Sequence, residues 1–331
     1  MNEITLVTGA TGFIGGYVIR RLLAAGAAIR VLVRRPELLD AAVRGRVEVI
    51  RGDLRDDASL RRAVAGSHTV LHLAALARAW SREPGEFTAV NVRAVDVLLE
   101  AAQRSGVERL VHVSTLLTLP PYRRAPINGA SQLPTPYETS KLAGERLVES
   151  YAAAGRRAVI VHPTRVMGPG PLTDANAVSR VIALYLAGRF RVRLADGDVL
   201  SNYVHAEDVA AGILLAAARG ASGAHYALGG ENASFRVFLA LVAAATGVHR
   251  KVLALPPAAA LAAARMAELW GRLGGMAPIT PGWVRVFLED RRVDITPARC
   301  ELGYAPRSLA TAIAETVGWL LSRRERAGEA A

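Results

Sequence analysis

Residues 6–15 read LVTGATGFIG, and this stretch near the start of the chain gives the strongest indication of the fold. The apolar residues 4–7 predict a buried strand, the next residues predict a tight turn, and a helical pattern follows. The turn holds three glycines, Gly9, Gly12 and Gly15. Glycines there let the backbone approach a pyrophosphate, and the following helix offers unpaired N–H groups and the positive end of its dipole. The pattern predicts a dinucleotide-binding turn; the alternative is a glycine-rich turn that binds nothing.

Apolar segments recur along the first half of the chain and alternate with helical patterns. They cover residues 4–7, 29–33, 47–50, 69–73, 110–113 and 158–161. Strands that are apolar on both faces and alternate with helices indicate a parallel sheet covered on both sides. We therefore predict an α/β fold of the Rossmann type, a doubly wound parallel sheet with a smaller C-terminal substrate-binding lobe.

The regularity of this pattern fades after the sixth predicted strand, which sets the expected domain boundaries. Residues 1–165 are predicted to form the NAD(P)-binding domain, and residues 199–230 are expected to return to it. Residues 166–198 and 231–321 are irregular and contain many prolines and glycines, so we assign them to the lobe. A charged, frayed tail is expected over residues 322–331.

Composition excludes several classes of protein. The only cysteine among the 331 residues is Cys300, which excludes an internal disulfide and a cysteine-built metal site. No apolar run approaches the ~20 residues of a membrane span, and nothing resembles a signal peptide, so we expect a cytoplasmic protein. The net charge of +12 is scattered and lacks interleaved aromatic residues, so nucleic acid is not an expected partner.

Three polar residues are candidates for chemistry. Tyr137 and Lys141 lie four residues apart at the start of a predicted helix, hence on one face. An ammonium group near a phenol favours the phenolate and lowers its pKa, which makes Tyr137 a candidate general acid and base. Thr115 follows the fifth predicted strand, at the edge where such sheets bind ligands. The alternatives are a surface tyrosine beside a solvated lysine, and a threonine that only caps a strand end.

Further motifs occur in order along nearly the whole chain. They are residues 8–15, 52–54, 71–75, 113–115, Tyr137 with Lys141, 162–164, 203–210, and 302–304 with Trp319. With these motifs the chain resembles the extended short-chain dehydrogenase/reductase superfamily, that is, the NAD(P)-dependent epimerase/dehydratase family. Within it, the chain is most similar to the branch that includes dihydroflavonol-reductase-like and 3β-hydroxysteroid-dehydrogenase-like enzymes.

The resemblance implies a homodimer and a role for each site residue. Thr115 would polarise a carbonyl, Tyr137 would transfer the proton, and Lys141 would bind the nicotinamide ribose and lower the pKa of the tyrosine. The other implied cofactor contacts are Gly9, Thr11, Gly12, Phe13, Ile14 and Gly15 around the pyrophosphate, Asp53 and Leu54 at the adenine, Ala74 and Ala75 along the channel, and Pro163 beside the nicotinamide.

The residue that ends the second strand distinguishes NAD from NADP. An acidic residue there binds the ribose 2′-hydroxyl, whereas an arginine accommodates a 2′-phosphate. This strand is followed by Arg34 and Arg35, with no acidic residue before Glu37. Because a guanidinium group makes forked hydrogen bonds to phosphate, we predict NADP(H) as the preferred cofactor, with Arg34 as the main contact. NAD(H) stays possible.

Two positions bear on the substrate. Members of the superfamily that act on nucleotide sugars usually carry an asparagine after the sixth strand and an arginine before the Tyr-Val-His segment. Here Arg165 and Ser201 occupy those positions, which counts against a nucleotide-diphosphate sugar. Apolar pocket walls are expected from residues 116–134, Trp270, Met276, Trp283 and Phe287.

The sequence thus predicts an NADP(H)-dependent oxidoreductase that interconverts a ketone or aldehyde and an alcohol, with Tyr137 as proton donor and acceptor. One alternative is an NAD-dependent nucleotide-sugar epimerase or dehydratase. A second alternative is a non-catalytic NAD(P)-binding sensor or assembly protein. Such proteins typically lack the tyrosine or the lysine, and both are present here.

Overall fold

A seven-stranded parallel sheet lies at the centre of the structure, a computed structural model that describes residues 3–328 except 79, 82, 84, 122–133, 196, 274 and 276–279. The strands are β1 (Ile4–Thr8), β2 (Ala28–Val33), β3 (Glu48–Arg51), β4 (Thr69–His72), β5 (Arg109–Val113), β6 (Ala158–Pro163), β7 (Arg165–Met167), β8 (Val192–Leu194), β9 (Leu200–His205), β10 (His225–Leu228), β11 (Glu231–Ser234) and β12 (Leu253–Leu255). The helices are α1 (Phe13–Ala24), α2 (Ala41–Arg44), α3 (Asp57–Val64), α4 (Glu86–Thr88), α5 (Ala94–Arg104), α6 (Pro136–Ala153), α7 (Ala177–Leu186), α8 (Ala206–Arg219), α9 (Phe235–Thr246), α10 (Pro257–Arg272), α11 (Pro281–Leu288) and α12 (Leu309–Gly328).

The order of the strands in the main sheet is β10-β6-β5-β4-β1-β2-β3, and each neighbouring pair is parallel. This confirms the predicted fold class. The chain reverses its direction across the sheet between β1 and β4, so the turns after these two strands diverge and leave a crevice. Open parallel sheets bind their ligands at this reversal, beyond the carboxyl ends of the strands.

The two faces of the sheet have separate apolar cores. Successive side chains of a strand point to opposite faces, and β6 shows this directly. Val159 and Val161 pack with α1 and α8, whereas Ala158 and Ile160 pack with α3, α5 and α6. The helices that carry the predicted cofactor turn and the predicted tyrosine therefore cover opposite faces of one sheet.

The lobe is built on a second, three-stranded sheet with the order β11-β9-β7. Helices α7, α9 and α12 share an apolar core with it, and α10 and α11 form a smaller core beside β8 and β12. The return of residues 199–230 to the main domain stays a prediction. Strand β9 lies at the middle of the lobe sheet, and it is α8 and β10 that pack against the main sheet.

The C-terminal segment is helical where a frayed tail was expected. Helix α12 continues to Gly328 because Val317 and Leu320 are buried in the core of the lobe and anchor the preceding turns. Residues 322–328 thus belong to α12, and the fraying of this end stays a prediction. Among the helices described, none is long and apolar enough to cross a membrane.

The helix α6 begins at a capping box. The side chain of Thr135 accepts a hydrogen bond from the backbone N–H of Glu138 (3.2 Å), and the Glu138 carboxylate accepts one from the backbone N–H of Thr135 (2.6 Å). Pro136 occupies the first helical position, where a missing N–H costs nothing. These local signals fix the start of the helix one residue before Tyr137.

Close packing against α6 requires a glycine in the middle of the helix. Residues Ala89–Arg93 form a π-helical turn before α5, and the carbonyl oxygen of Asn91 faces Gly144. A Cβ atom on Gly144 would lie 2.7 Å from that oxygen, closer than real contacts allow. The glycine thus lets α6 approach the turn that holds the buried Asn91.

This contact predicts opposite effects for two glycine-to-alanine substitutions within helices. Gly144→Ala should lower the free energy of unfolding by about 1–3 kcal/mol, since the new methyl group must displace backbone. Gly318→Ala, in open space on α12, should raise it by about 0.5–1 kcal/mol through higher helix propensity. Urea unfolding followed by circular dichroism measures both, and changes of the same sign would contradict the proposed contact.

Candidate active site

The glycine turn after β1 is tight and leads directly into α1, with the Gly12 N–H bonded to the Gly9 carbonyl (2.9 Å). Gly9 has φ of +79°, which a residue with a side chain rarely adopts. A Cβ atom on Gly15 would lie 2.1 Å from the Gly9 carbonyl oxygen, so only glycine allows α1 to start so close to the turn. No side chain caps α1 at Gly12, and its first turn holds no acidic residue. These features fit the pyrophosphate of a dinucleotide.

The loop after β4 forms the other side of the crevice. Ala74 is so close to the turn that a Cβ atom on Gly9 would lie 2.8 Å from the Ala74 nitrogen. The buried amide of Asn91 accepts a hydrogen bond from Leu76 N–H (2.8 Å) and donates to the Leu76 carbonyl (3.1 Å) and to Ser140 Oγ (3.0 Å). Asn91 therefore ties this loop to α6. Sequence analysis missed this role, although a lone amide within an apolar helical segment could have indicated it.

The three predicted catalytic residues lie at the carboxyl edge of the sheet. The Thr115 side chain is close enough to the phenol of Tyr137 to lower its pKa. Tyr137 is 9% exposed and Lys141 is 1% exposed. The Lys141 ammonium donates to the Val113 carbonyl (3.0 Å) and contacts His112 Nε2 at 3.2 Å. Strand β5 thus holds the threonine at its end and the lysine against its last residues.

The shift in the pKa of Tyr137 is opposite in direction to the expected one. Burial raises the pKa of Tyr137 to about 12, although the Thr115 side chain opposes this. Burial also lowers the pKa of Lys141 to about 8, opposed by the charge of Glu145. The expected lowering of the tyrosine's pKa by the ammonium is not seen in this arrangement, because burial sets the direction of the shift and the ammonium bonds to β5. Tyr137 is therefore protonated at neutral pH.

Glu145, one turn after Lys141, is a second buried charge on α6. Its carboxylate accepts a hydrogen bond from the Ser114 hydroxyl and lies 3.8 Å from His162 Nδ1. His162 in turn contacts His225 at 3.0 Å. The negative charge of Glu145 accompanies the positive charge of Lys141 in the protein interior, which makes burial of the ammonium less unfavourable.

A third buried charge on α6 joins the lobe to the main domain. Glu138 binds the Arg285 guanidinium through both carboxylate oxygens (2.7 and 3.0 Å) and Arg291 at 3.4 Å. Glu289 binds both arginines as well. Arg291 also donates to the carbonyls of residues 117 and 119, just after Thr115. We call Glu138, Arg285, Glu289 and Arg291 the arginine–glutamate cluster.

The predicted adenosine contacts lie at the ends of β2 and β3. Arg34 is exposed directly after β2, and no ion pair is observed for it in the described part of the chain. Leu54 is half-buried, and the carboxylate of Asp53 is hydrogen-bonded by the Arg55 side chain at 3.1 and 3.2 Å. Its role at the adenine stays a prediction. Pro163 is buried at the end of β6, and Ala75 is half-buried beside Ala74.

The two positions that differ from nucleotide-sugar enzymes contact each other. The Arg165 Nε–H donates a hydrogen bond to Ser201 Oγ, and its guanidinium lies 4.8 Å from the centre of the Phe287 ring. Phe287, 44% exposed, lies beside Trp283 as the apolar wall requires, but Trp270 is 64% exposed on α10. Met276 and residues 122–133 lie outside the described residues.

With this geometry established, comparison with known proteins identifies the family. The model of the NAD dependent epimerase/dehydratase family matches residues 5–229. The chain belongs to this family. It is 32% identical to sterol demethylase protein B of Methylococcus capsulatus, over 96% of this chain and 98% of that protein. It is also 32% identical to 4-hydroxy-2-methyl-3-oxo-4-farnesyl-3,4-dihydroquinoline-1-oxide ketoreductase of Stigmatella aurantiaca, over 92% of each chain.

A solved structure of the family shows the same fold with its cofactor. MoeE5 in complex with UDP-glucose and NAD superposes with a TM-score of 0.72 and 28% identity, covering 98% of this chain and 99% of MoeE5. This family member is therefore an NAD(P)-dependent oxidoreductase of the extended short-chain dehydrogenase/reductase type, as the sequence predicted.

The buried position of Glu138 predicts a large effect on stability. Glu138→Gln should lower the free energy of unfolding by about 3–5 kcal/mol, because it leaves two buried guanidinium groups with one carboxylate. Glu100→Gln is the control, since Glu100 pairs with Arg61 and Arg104 but its side chain is 51% exposed. That change should cost less than about 1 kcal/mol. If urea unfolding showed the same loss of unfolding free energy for both variants, the arginine–glutamate cluster would stabilise the protein no more than a surface ion pair does.

Proposed function

We propose that this enzyme reduces a ketone or an aldehyde with NADPH and oxidises the corresponding alcohol with NADP⁺. The observation that carries the proposal is the proximity of the Thr115 side chain to the phenol of Tyr137, at the carboxyl edge of the sheet where the ammonium of Lys141 is also buried. Two hydroxyl donors side by side suit a carbonyl oxygen that gains negative charge. The relationship to a ketoreductase supports the same chemistry.

Different residues of the crevice would contact different parts of NADP(H). We assign Gly9, Thr11, Gly12, Phe13, Ile14 and Gly15 to the pyrophosphate, Arg34 to the 2′-phosphate, Asp53 and Leu54 to the adenine, Ala74 and Ala75 to the channel wall, and Lys141 and Pro163 to the nicotinamide ribose and ring. When bound, the nicotinamide supplies or accepts a hydride at the carbonyl carbon.

The protein's own groups handle the proton. The Thr115 hydroxyl donates a hydrogen bond to the substrate oxygen, and a preorganised donor of this kind is worth about 2.7–4 kcal/mol in the transition state. The Tyr137 phenol then gives its proton to that oxygen and becomes a phenolate. Its pKa of about 12 keeps it protonated at neutral pH, which favours its use as a donor in the reductive direction.

The main alternative is an epimerase or dehydratase that acts on a nucleotide sugar with tightly held NAD. The similarity to MoeE5, whose structure contains UDP-glucose and NAD, favours it. The hydrogen bond between Arg165 and Ser201 counts against it, because these two side chains are engaged with each other. Such an enzyme would co-purify with NAD and would not consume NADPH. A non-catalytic sensor would bind NADPH tightly and turn over no ketone.

Removal of one oxygen atom tests the role of Tyr137. Tyr137→Phe should lower the turnover of NADPH with a panel of ketones and aldehydes by about 10²–10⁴-fold, because the general acid is lost. NADPH binding, measured by isothermal titration calorimetry, should stay unchanged. Tyr151→Phe, on the same helix and also buried, is the matched control and should keep full turnover. Undiminished turnover in Tyr137→Phe would refute the assignment.

A second substitution tests the cofactor preference. Arg34→Gln should raise the Kd of NADP⁺ by about 10–100-fold, since a hydrogen bond to a charged group is worth about 1.5–3 kcal/mol. The Kd of NAD⁺ should not change, because NAD⁺ lacks the 2′-phosphate. Arg46→Gln, at another exposed arginine nearby, should alter neither constant. Equal weakening of both cofactors by Arg34→Gln would contradict a contact with the 2′-phosphate.

A further inference from the structure

Two histidines face each other across neighbouring strands at one edge of the main sheet. His162 lies on β6, and His225 lies on β10, the edge strand that pairs with β6. Their rings are nearly parallel, with centres 5.2 Å apart, and His162 Nε2 lies 3.0 Å from His225 Nδ1. The side chain of His162 is 1% exposed and that of His225 is 33% exposed. The proposed reaction uses neither ring.

The other ring nitrogen of His162 faces three oxygen atoms. Nδ1 lies 3.1 Å from the Thr115 carbonyl oxygen, 3.1 Å from Thr118 Oγ1 and 3.8 Å from the Glu145 carboxylate. A carbonyl and a carboxylate only accept hydrogen bonds, and the Thr118 hydroxyl already donates its hydrogen to the Thr115 carbonyl. These contacts require a hydrogen on Nδ1, which leaves a lone pair on Nε2 of the neutral ring.

The outer nitrogen of His225 is held in a similar way. Its Nε2 lies 3.1 Å from the Glu149 carboxylate, which only accepts, so the single N–H of the neutral ring is on Nε2. The lone pair of His225 is then on Nδ1. Two lone pairs thus face each other at 3.0 Å between His162 and His225. This contact is unfavourable unless a proton or a metal ion binds to both.

Glu145 supplies a carboxylate beside the two histidines. One ligand atom from each of Glu145, His162 and His225 lies within 4.8 Å of the other two. The ligands of a tetrahedral zinc ion are about 3.3 Å apart, so the separations must shorten by about 1.5 Å at most. His225 can make this adjustment, because it lies on an edge strand and is partly exposed.

The outer hydrogen bonds of the two rings are those of metal-binding histidines. A histidine ligand usually donates its other N–H to a carboxylate or a backbone carbonyl, which fixes the tautomer and the orientation of the ring. Here the Glu149 carboxylate accepts from His225, and the Thr115 carbonyl accepts from His162. Both rings are therefore prepared to present a lone pair to a cation.

A cavity of about 270 Å³ is lined by both histidines. Among the described residues that line it, none belongs to the predicted catalytic or cofactor-binding set. Arg291 and Arg292 also line it, but their guanidinium groups pair with Glu289 and Asp290. The cavity offers an ion and a water ligand a route to the histidines that does not cross the cofactor crevice.

We propose that His162, His225 and Glu145 bind a divalent transition-metal ion, Zn²⁺ being the best match, and that Glu149 orients the ring of His225. Two imidazoles and a carboxylate suit such ions, whereas Mg²⁺ prefers oxygen ligands. The ion joins β10 to β6 and, through the hydrogen bond of His162, steadies the backbone at Thr115. This site goes beyond the proposed reaction and does not depend on it.

The experiment titrates ZnCl₂ into the full chain by calorimetry at neutral pH, after a chelator and any histidine tag have been removed. The wild type should bind one Zn²⁺ per chain with a micromolar or lower Kd. Glu149→Ala, on the exposed side of α6, should raise this Kd by about 10–100-fold, as losses of an outer partner do. His225→Gln removes a ligand and should raise it by more than about 100-fold, beyond the effect of an outer partner.

Three controls separate this site from adventitious binding. His249→Gln removes an exposed histidine of the lobe and should leave the Kd of Zn²⁺ unchanged. MgCl₂ should not bind. Co²⁺ should give visible absorption bands that His225→Gln abolishes, while circular dichroism shows that the variant is folded. Millimolar binding of Zn²⁺ by the wild type, an unchanged Kd in both His225→Gln and Glu149→Ala, or an equal loss in His249→Gln would overturn the inference; the two histidines would then share only a proton.

Discussion

The burial of three charged side chains on α6 is the constraint around which the site is built. Glu138, Lys141 and Glu145 occupy successive turns of one helix, and each would be strongly unfavourable in the interior without a partner. The partners come from three directions. The lobe provides two arginines for Glu138, β5 provides a carbonyl and an imidazole for Lys141, and the ends of β5 and β6 provide Ser114 and His162 for Glu145.

These contacts set the position and the protonation of Tyr137. The helix can neither rotate nor slide without breaking at least one pair, and Tyr137 lies within the capping box, two residues after Thr135. The same burial that demands partners for the charges also keeps the phenol neutral. The Asn91 amide also bonds to the loop after β4, so this loop and the helix that carries Tyr137 are linked through one side chain.

Sequence alone could predict the features that depend on local pattern. The glycine turn, the parallel strands and the position of Thr115 all follow from neighbouring residues or from strand periodicity. The partners of Glu138 could not be predicted, because Arg285 lies 147 residues away and nothing in the periodicity of either segment relates them. The direction of the pKa shift of Tyr137 also depends on burial. A Tyr-x-x-x-Lys pair looks the same in sequence whether it is solvated or enclosed.

The sequence also could not predict which of the two sheets β9 would join. The segment Leu200–His205 is suited to a strand in either sheet, and its place was decided by pairing with β7 and β11, which sequence spacing does not reveal. Helix α12 is likewise anchored by contacts with the lobe core, through Val317 and Leu320, which its own sequence does not reveal.

The arginine–glutamate cluster has a consequence for how the protein can be divided. The main sheet has its own apolar cores, yet Glu138, at the start of α6, finds its counter-ions in the lobe, at Arg285 and Arg291. A chimaera that takes its lobe from another protein must therefore carry cations equivalent to Arg285 and Arg291, or replace Glu138 at the same time. The main domain and the lobe each have an apolar core of their own, but their buried charges are balanced only when the two are together.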